Sequence, residues 1–245
     1  MMSSSGGGRF AAEVGMALWA DPPSVLFLRR WLRTLRPGHN PLLDGLPWMN
    51  FSVIRWLDAY LRPTMDVFEY GSGGSTAFVA SRVRRLVSVE HDPPWHASVS
   101  RALRERGIRN CDLRLVPPVR RPETADVPYG PGSYTSFAPH TRGYSFEDYV
   151  RSIDAFPDGS FDLVIVDGYA RPSAVARAIP KVRPMGYLLL DDSDQEYARP
   201  ALPALNGFPR RDFVAVAAFQ RTVQRASIWR IGPRRNPMKP QSRSS

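Results

Sequence analysis

The chain has 245 residues, a length that suits one large α/β domain with some extension better than two independent domains. Hydrophobic residues make up 43% of it, which is enough for a globular core. No apolar run reaches the roughly 20 residues that a membrane span requires, so no membrane partner is expected. The single cysteine, Cys111, excludes an internal disulfide and a cysteine-based metal cluster. The Ser/Gly-rich start has no apolar segment behind it, so we expect no secretory signal and a cytoplasmic protein.

The net charge of +10 raises the question of a nucleic-acid partner. All but two of the 33 basic residues are arginines, a bias that a GC-rich genome also produces. The arginines are scattered or paired, whereas a nucleic-acid-binding face clusters them and interleaves aromatic side chains. We therefore expect a small molecule rather than a nucleic acid as partner.

The first two predicted helices lie near the N-terminus. Apolar residues recur at helical spacing over 24–36, and Asn50 is a candidate N-cap for a second helix that ends before Pro63. We expect residues 24–63 to form a helical extension, preceded by a flexible stretch over 1–23. This extension could cover the substrate side of the domain or form a homodimer interface, and the sequence does not decide between the two.

Strands and helices alternate from Met65 onwards, which predicts an α/β domain over 64–231. Strands are predicted over 66–70, 86–90, 113–116, 161–167 and 186–190, with a closing antiparallel pair over 212–219 and 226–231. Repeated strand–helix units imply a parallel sheet with right-handed crossovers. The tail over 232–245, rich in Pro, Arg and Ser, is expected to be disordered.

A long stretch with little periodicity interrupts this pattern over 117–143. Loops of this length in compact domains are usually lids, binding loops or disordered segments, and we expect this one to shape a substrate pocket. Its aromatic residues could form a wall for a ligand or anchor the loop: Tyr129, Tyr134, Phe137 and the nearby Tyr144. His140 could carry a general base over the site, although an exposed loop histidine is the simpler interpretation.

A glycine-rich turn follows the first predicted strand. Gly71, Gly73 and Gly74 let the backbone approach a ligand, and the helix beyond offers free N–H groups to an anion. Glu90 ends the next strand, where a carboxylate can accept hydrogen bonds from two ribose hydroxyls. The combination predicts a nucleotide-type ligand. A dinucleotide is disfavoured, because Thr76 stands where its third glycine would be.

Four segments carry a family resemblance: VFEYGSGGST, LVSVEHD, FDLVIVDG and GYLLLDDSD. In order and spacing they resemble the class I S-adenosylmethionine-dependent methyltransferases, over roughly 66–194 and more weakly to 231. The resemblance implies a Rossmann-like, seven-stranded, mostly parallel α/β sheet with helices on both faces and an antiparallel last strand. It also implies S-adenosylmethionine as cofactor, with these binding residues: Glu69, Gly71, Ser72, Gly73, Ser75, Thr76, Glu90, His91, Val116, Pro117 and Asp167.

Acidic residues end the fourth and fifth predicted strands. Asp167 ends the fourth and Asp191 and Asp192 the fifth, and neighbouring parallel strands lie only ~5 Å apart, so these carboxylates can converge. Converging carboxylates repel unless a cation or protons offset them. The arrangement is similar to the metal-dependent branch of the family, which includes catechol and macrolide-sugar O-methyltransferases. That similarity implies Mg²⁺ held by Asp167, Asp191 and Asp192; acids that merely cap the next helix are the alternative.

Two features argue against particular chemistries. Catechol-type enzymes carry a lysine shortly after the first acid, but this chain has Ala170 and then Arg171, and an arginine stays protonated and cannot act as a base. The segment Asp92-Pro93-Pro94-Trp95 looks like the motif of amino-group methyltransferases, yet it follows the second strand rather than the fourth. We therefore expect Pro93 and Pro94 to start a helix.

Together these features predict an S-adenosylmethionine-dependent methyltransferase that acts on an oxygen of a small molecule. Asp167 and His140 are the candidate catalytic residues. A nucleic-acid or protein methyltransferase is one alternative, and a binding module that has lost its chemistry is another. The sequence identifies neither the acceptor nor the oligomeric state.

Overall fold

The computed structural model describes Gly15 and residues 27–232. Its helices are α1 (Leu28–Thr34), α2 (Pro41–Asp44), α3 (Phe51–Tyr60), α4 (Gly74–Ala80), α5 (Pro93–Glu105), α6 (Glu147–Arg151) and α7 (Arg171–Ala178). Its strands are β1 (Asp66–Tyr70), β2 (Arg85–Glu90), β3 (Cys111–Leu115), β4 (Val119–Arg120), β5 (Tyr144–Ser145), β6 (Phe161–Val166), β7 (Val182–Leu190), β8 (Arg210–Val216) and β9 (Val223–Arg230).

The described strands form a seven-stranded sheet in the order β3-β2-β1-β6-β7-β9-β8. Strands β3, β2, β1, β6 and β7 run parallel to one another, and β9 runs antiparallel to both β7 and β8. This confirms the expected Rossmann-like, mostly parallel sheet. The chain forms one half of the sheet from β1 outward to β3, and then returns to the centre and forms the other half from β6 onward. The carboxyl ends of β1 and β6 therefore flank the crevice where such sheets bind ligands.

Alternate residues of the central strands face opposite layers of helices. On one face Phe68, Val164 and Leu190 pack with residues of α6 and α7. On the other face Val67 and Ile165 pack with residues of α1, α3 and α4. Because both faces are covered, every residue of β1 and of β6 is buried, as expected for central parallel strands.

Helices α1 and α3 belong to the second of these cores rather than to a separate layer. Asn50 is fully buried; its side chain accepts a hydrogen bond from Val53 N at 3.0 Å and donates one to Phe213 O at 3.2 Å. Ala218 N also donates to Met49 O. The start of α3 is thereby tied to β8 and to the turn after it, so the extension covers one face of the sheet.

The long segment 117–143 is closed at its base by a short ribbon. Strands β4 and β5 pair antiparallel, with Arg120 opposite Tyr144. The segment is docked further along, because Tyr129 Oη donates to Tyr197 O at 2.8 Å and Gly132 N donates to Ser173 Oγ at 3.1 Å. The segment is therefore an ordered loop packed on the carboxyl edge of the sheet.

Some sequence-based expectations fall outside the described residues. These are the flexible stretch 1–23 apart from Gly15, the first residues of the helix predicted over 24–36, and the tail beyond Gly232. Among the described helices none is long and apolar enough to cross a membrane.

Replacing Asn50 tests its double role as helix cap and tie to β8. We expect Asn50→Ala to lower the free energy of unfolding by about 3 kcal/mol, since a cap is lost and a buried carbonyl is left unpaired. Asn40→Ala is the matched control: Asn40 caps α2 through Leu43 N in an exposed position, and its loss should cost about 1 kcal/mol. Urea denaturation measures both values. Equal losses would show that the tie to β8 contributes nothing.

Candidate functional site

The turn after β1 lies directly against the turn after β6. Gly71 has φ +89°, a left-handed conformation that favours glycine. A β-carbon at Gly71 would lie 2.8 Å from the backbone nitrogen of Gly168. Asp167 N donates to Tyr70 O at 3.0 Å. The two strand ends that flank the crevice are thus held together by backbone contact, which requires glycine at position 71.

Glu69 braces the glycine turn from behind. It is fully buried, and its Oε2 accepts hydrogen bonds from Thr76 Oγ1 and Ser88 Oγ, each at 2.6 Å. Thr76 Oγ1 in turn accepts from Gly73 N at 2.9 Å, so the carboxylate is linked to the turn. Oε1 is buried and has no hydrogen-bond partner among the described residues. Burial raises the pKa of Glu69 despite the hydroxyl donors.

Glu90, at the end of β2, is held by a dense set of donors. Its Oε2 accepts from Ser72 N at 3.1 Å and Ser72 Oγ at 2.8 Å. Its Oε1 accepts from His91 N and Asp92 N, and His91 Nδ1 lies 2.9 Å away. Burial opposes ionisation of Glu90, but these hydrogen bonds outweigh it and lower its pKa. Glu90 is therefore a carboxylate at neutral pH, fixed at the edge of the crevice.

The three acids predicted to converge do so. Ligand atoms of Asp167, Asp191 and Asp192 all lie within 4.8 Å of one another. Asp191 is 1% exposed, and its Oδ1 has no hydrogen-bond partner among the described residues. The other two carboxylates are partly exposed.

A cation from the chain itself lies within this cluster. The Arg171 side chain donates from Nε to Gly168 O, from Nη1 to Asp191 O, and from Nη2 to both the carbonyl oxygen and Oδ1 of Asp167. Nη1 also lies 3.5 Å from Asp192 Oδ2. Burial disfavours the charged guanidinium, but the three aspartates outweigh burial and raise the pKa of Arg171. Arg171 is thus a fixed positive charge.

The cluster shifts the titration of its acids. Burial, together with the neighbouring Asp192 and Glu69, raises the pKa of Asp167 to about 7, although Arg171 acts in the opposite direction. Burial and the adjacent Asp167 and Asp192 raise the pKa of Asp191 well above its ordinary range. An acid with a pKa near neutrality can both accept and release a proton at physiological pH.

A cavity of about 800 Å³ opens at this edge of the sheet. Three groups of residues line it. The glycine turn and β2 supply Gly71, Ser72, Gly73, Gly74, Ser75, Glu90, His91 and Asp92; the turn after β6 supplies Asp167, Gly168, Tyr169, Ala170 and Arg171. The remainder are Pro41, Trp48, Trp95, Tyr129, Ser136, Phe137, Ala138 and Tyr197.

Most of the site residues predicted from sequence meet in or beside this cavity. Gly71, Ser72, Gly73, Ser75, Glu90, His91 and Asp167 are among its lining residues. Glu69 and Thr76 lie behind the glycine turn. Asp191 and Asp192 adjoin Arg171, which lines the cavity.

The other predicted site residues are not among the described lining residues. His140 is exposed, and its Nε2 lies 3.4 Å from the hydroxyl of Tyr169, which does line the cavity. Val116 packs against the main core and donates from its backbone to Glu90 O, and neither it nor Pro117 belongs to the described lining.

The structure adds aromatic residues that the sequence did not indicate. Trp48 follows α2, Trp95 opens α5 and donates from Nε1 to Ser72 O, and Tyr197 donates to Asp192 Oδ2 at 2.8 Å. Of the loop aromatics, Tyr129 and Phe137 line the cavity, whereas Tyr134 packs against the core. These residues lie far apart in sequence, and no spacing pattern links them.

Solved structures with a similar fold are known, although sequence comparisons find no match. No family model matches the chain, and no curated protein matches it in sequence. Among solved structures, cofactor-bound Rv0187 from MTB is 16% identical, with a TM-score of 0.55, covering 85% of this chain and 97% of that one. A putative O-methyltransferase from Klebsiella pneumoniae is 14% identical, with a TM-score of 0.52, covering 92% and 98%. The chain has the class I methyltransferase fold.

The raised pKa of Asp167 predicts a pH-dependent effect on stability. The unfolded carboxyl ionises near 3.8 and the folded one near 7, so the folded state binds more protons between these values and loses stability as pH rises. We expect Asp167→Asn to be more stable than the wild type at pH 8 by roughly 2 kcal/mol, and nearly equal to it at pH 4. Denaturation at both pH values measures this. The same difference at both would show that Asp167 titrates normally.

Proposed function

We propose that this chain is an S-adenosylmethionine-dependent methyltransferase that acts on a hydroxyl oxygen of a small molecule. The observation that carries the proposal is one cavity shared by the glycine turn after β1, the Glu90 carboxylate and the Asp167 carboxyl. The first two suit a nucleoside cofactor and the third suits a proton acceptor. The structural likeness to a putative O-methyltransferase and to the cofactor-bound Rv0187 supports the same function.

The residues present fit S-adenosylmethionine. The buried, unpartnered Oε1 of Glu69 is an acceptor that the ammonium group of the methionine end would satisfy. Glu90 is ionised and faces the cavity, so it would accept hydrogen bonds from the ribose hydroxyls. Ser72, which now donates to Glu90, would share that carboxylate with the ribose. When bound, the cofactor supplies an electrophilic methyl group on a positively charged sulfur.

The aromatic part of the cavity is where the acceptor would bind. Tyr129 and Phe137 come from the docked loop, and Tyr197 packs beside Phe137 with ring centroids 6.1 Å apart. Flat apolar walls and a pocket bounded by a loop favour a small acceptor over a polymer.

Asp167 is the group that would receive the acceptor proton. Its Oδ1 accepts from Arg171 Nη2, which fixes the carboxyl at the cavity wall. With a pKa of about 7 it is partly ionised at neutral pH, so it can take the hydroxyl proton as the oxygen becomes nucleophilic. The ring of His140 lies 3.4 Å from the hydroxyl of Tyr169, and through that contact it would reach the cavity.

Glu90→Gln tests the cofactor site. Removing one charged acceptor should weaken S-adenosylhomocysteine binding by about tenfold or more, because a hydrogen bond to a charged group is worth ~1.5–3 kcal/mol. Isothermal titration calorimetry gives the dissociation constants. Glu147→Gln, which removes an acid paired with Arg151 outside the cavity, is the control and should bind as the wild type does. Unchanged affinity in Glu90→Gln would remove Glu90 from the site.

Asp167→Ala separates chemistry from binding. We expect transfer of labelled methyl groups to a panel of small phenols and hydroxylated sugars to fall by at least ~100-fold, because a general base is lost. The affinity for S-adenosylmethionine should change little. Asp158→Asn, at an exposed acid paired with Lys181, is the control. Full activity in Asp167→Ala would contradict its role as base.

Two alternative functions give different results in the same assays. The net charge of +10 favours a nucleic-acid methyltransferase, whose binding to RNA would fall steeply with added salt. A non-catalytic module would bind S-adenosylmethionine and transfer no methyl group to any acceptor, including RNA and protein. Salt-insensitive methylation of a small hydroxylated compound supports the proposed function over both.

A further inference from the structure

The acidic cluster after β6 and β7 already contains a cation. We propose that Arg171 permanently occupies the place where the resemblance implies a divalent metal, so that Asp167, Asp191 and Asp192 do not form a metal site in this protein. The proposal concerns metal binding and can be tested without any methyl acceptor. Its failure is therefore distinct from failure of the proposed function.

The guanidinium of Arg171 donates hydrogen bonds to oxygen atoms in and around the acidic cluster. It makes four hydrogen bonds to Gly168, Asp191 and Asp167, with donor–acceptor distances from 2.6 to 3.0 Å, and an ion pair to Asp192 at 3.5 Å. A guanidinium has five N–H groups in a fixed plane, and the four hydrogen bonds here come from all three of its nitrogen atoms. Such a fork is held in one orientation, unlike a lysine ammonium on a flexible stem.

A metal ion would compete with Arg171 for the carboxylates of Asp167 and Asp192. Mg²⁺ requires oxygen ligands at about 2.0–2.1 Å in octahedral geometry. Oδ1 of Asp167 is already hydrogen-bonded to Arg171, and Oδ2 of Asp192 accepts from Tyr197 Oη at 2.8 Å while lying near Arg171. An ion among these carboxylates would also lie next to a buried positive charge. Both the ligands and the charge balance therefore oppose a metal.

The surrounding chain holds Arg171 in place. Arg171 is 8% exposed, and its side chain packs over the Tyr197 ring, with the guanidinium carbon 5.0 Å from the ring centroid. Two residues near Arg171 have left-handed backbone conformations: Ala170, which precedes it, has φ +50°, and Asp192, in the turn after β7, has φ +49°. Left-handed conformations at residues other than glycine cost free energy, so surrounding contacts must maintain them.

The buried position of Arg171 would be unfavourable without the neighbouring acids. It is the first residue of α7, and a positive charge at a helix N-terminus is opposed by the helix dipole. Burial adds to that cost. Three nearby carboxylates offset both effects, which explains why an arginine is stable in an otherwise unfavourable place.

Metal titration of the wild type is the first test. After treatment with a chelator and its removal, we expect calorimetry with Mg²⁺, Mn²⁺ and Ca²⁺ to show no saturable binding up to millimolar concentrations. Saturable binding that disappears in Asp192→Asn would overturn the proposal. This measurement does not depend on whether any Arg171 variant folds.

Arg171→Met provides the complementary test. Removing the guanidinium frees the carboxylates, so this variant should gain saturable binding of a divalent ion, and Arg171→Met/Asp192→Asn should lose it again. Without metal, the single variant should melt about 10 °C lower than the wild type, because buried acids lose their counter-charge. Arg177→Met, in the same helix but contacting Tyr134 and Asp154 near the surface, is the control and should shift little. A melting temperature of Arg171→Met equal to that of the wild type would also overturn the proposal.

Discussion

Burial of acidic residues at the carboxyl edge of the parallel sheet is the constraint on which the site depends. Glu69, Glu90 and Asp191 are each 2% exposed or less, and Asp167 ends the strand between them. Removing a carboxylate from water is costly unless donors or a counter-charge replace the solvent. Each buried acid therefore requires hydrogen-bond donors or a positive charge beside it, and these groups make up much of the site.

The groups that stabilise the buried acids differ between the two ends of the cavity, and so do the functions that each end suits. Hydroxyl and backbone N–H donors surround Glu90 and hold it ionised, and hydroxyl donors bind one oxygen of Glu69. The acids after β6 and β7 are paired with Arg171 instead; its charge opposes the effect of burial without cancelling it, so the pKa of Asp167 still rises to about 7. One end of the cavity thus suits recognition of a cofactor and the other suits proton transfer.

The fold and half of the site could be predicted from sequence because they depend on local signals. Strand–helix alternation predicted the sheet, and glycine spacing predicted the turn at Gly71. Acids at strand ends converge because parallel strands end at one edge, so the cluster of Asp167, Asp191 and Asp192 was also predictable. The closing antiparallel pair was predicted over 212–219 and 226–231, and both strands begin two or three residues earlier in the structure.

The rest depends on tertiary contacts that leave no periodic signal. The ribbon of β4 and β5 has two residues in each strand, too few to show alternation. Trp48 and Tyr197 reach the cavity from segments far apart in sequence. Arg171 was identified in the sequence only as a residue that cannot act as a base, and its place among the carboxylates emerges from the turn geometry at Ala170.

A crystal structure of the chain with S-adenosylhomocysteine tests the central claim most directly. We expect the ligand in the cavity beside Gly71 and Gly73, with its ribose hydroxyls within hydrogen-bond distance of Glu90 and its sulfur end directed towards Asp167. Ligand bound elsewhere, or no ligand at saturating concentration, would contradict the assignment of this cavity as a cofactor site.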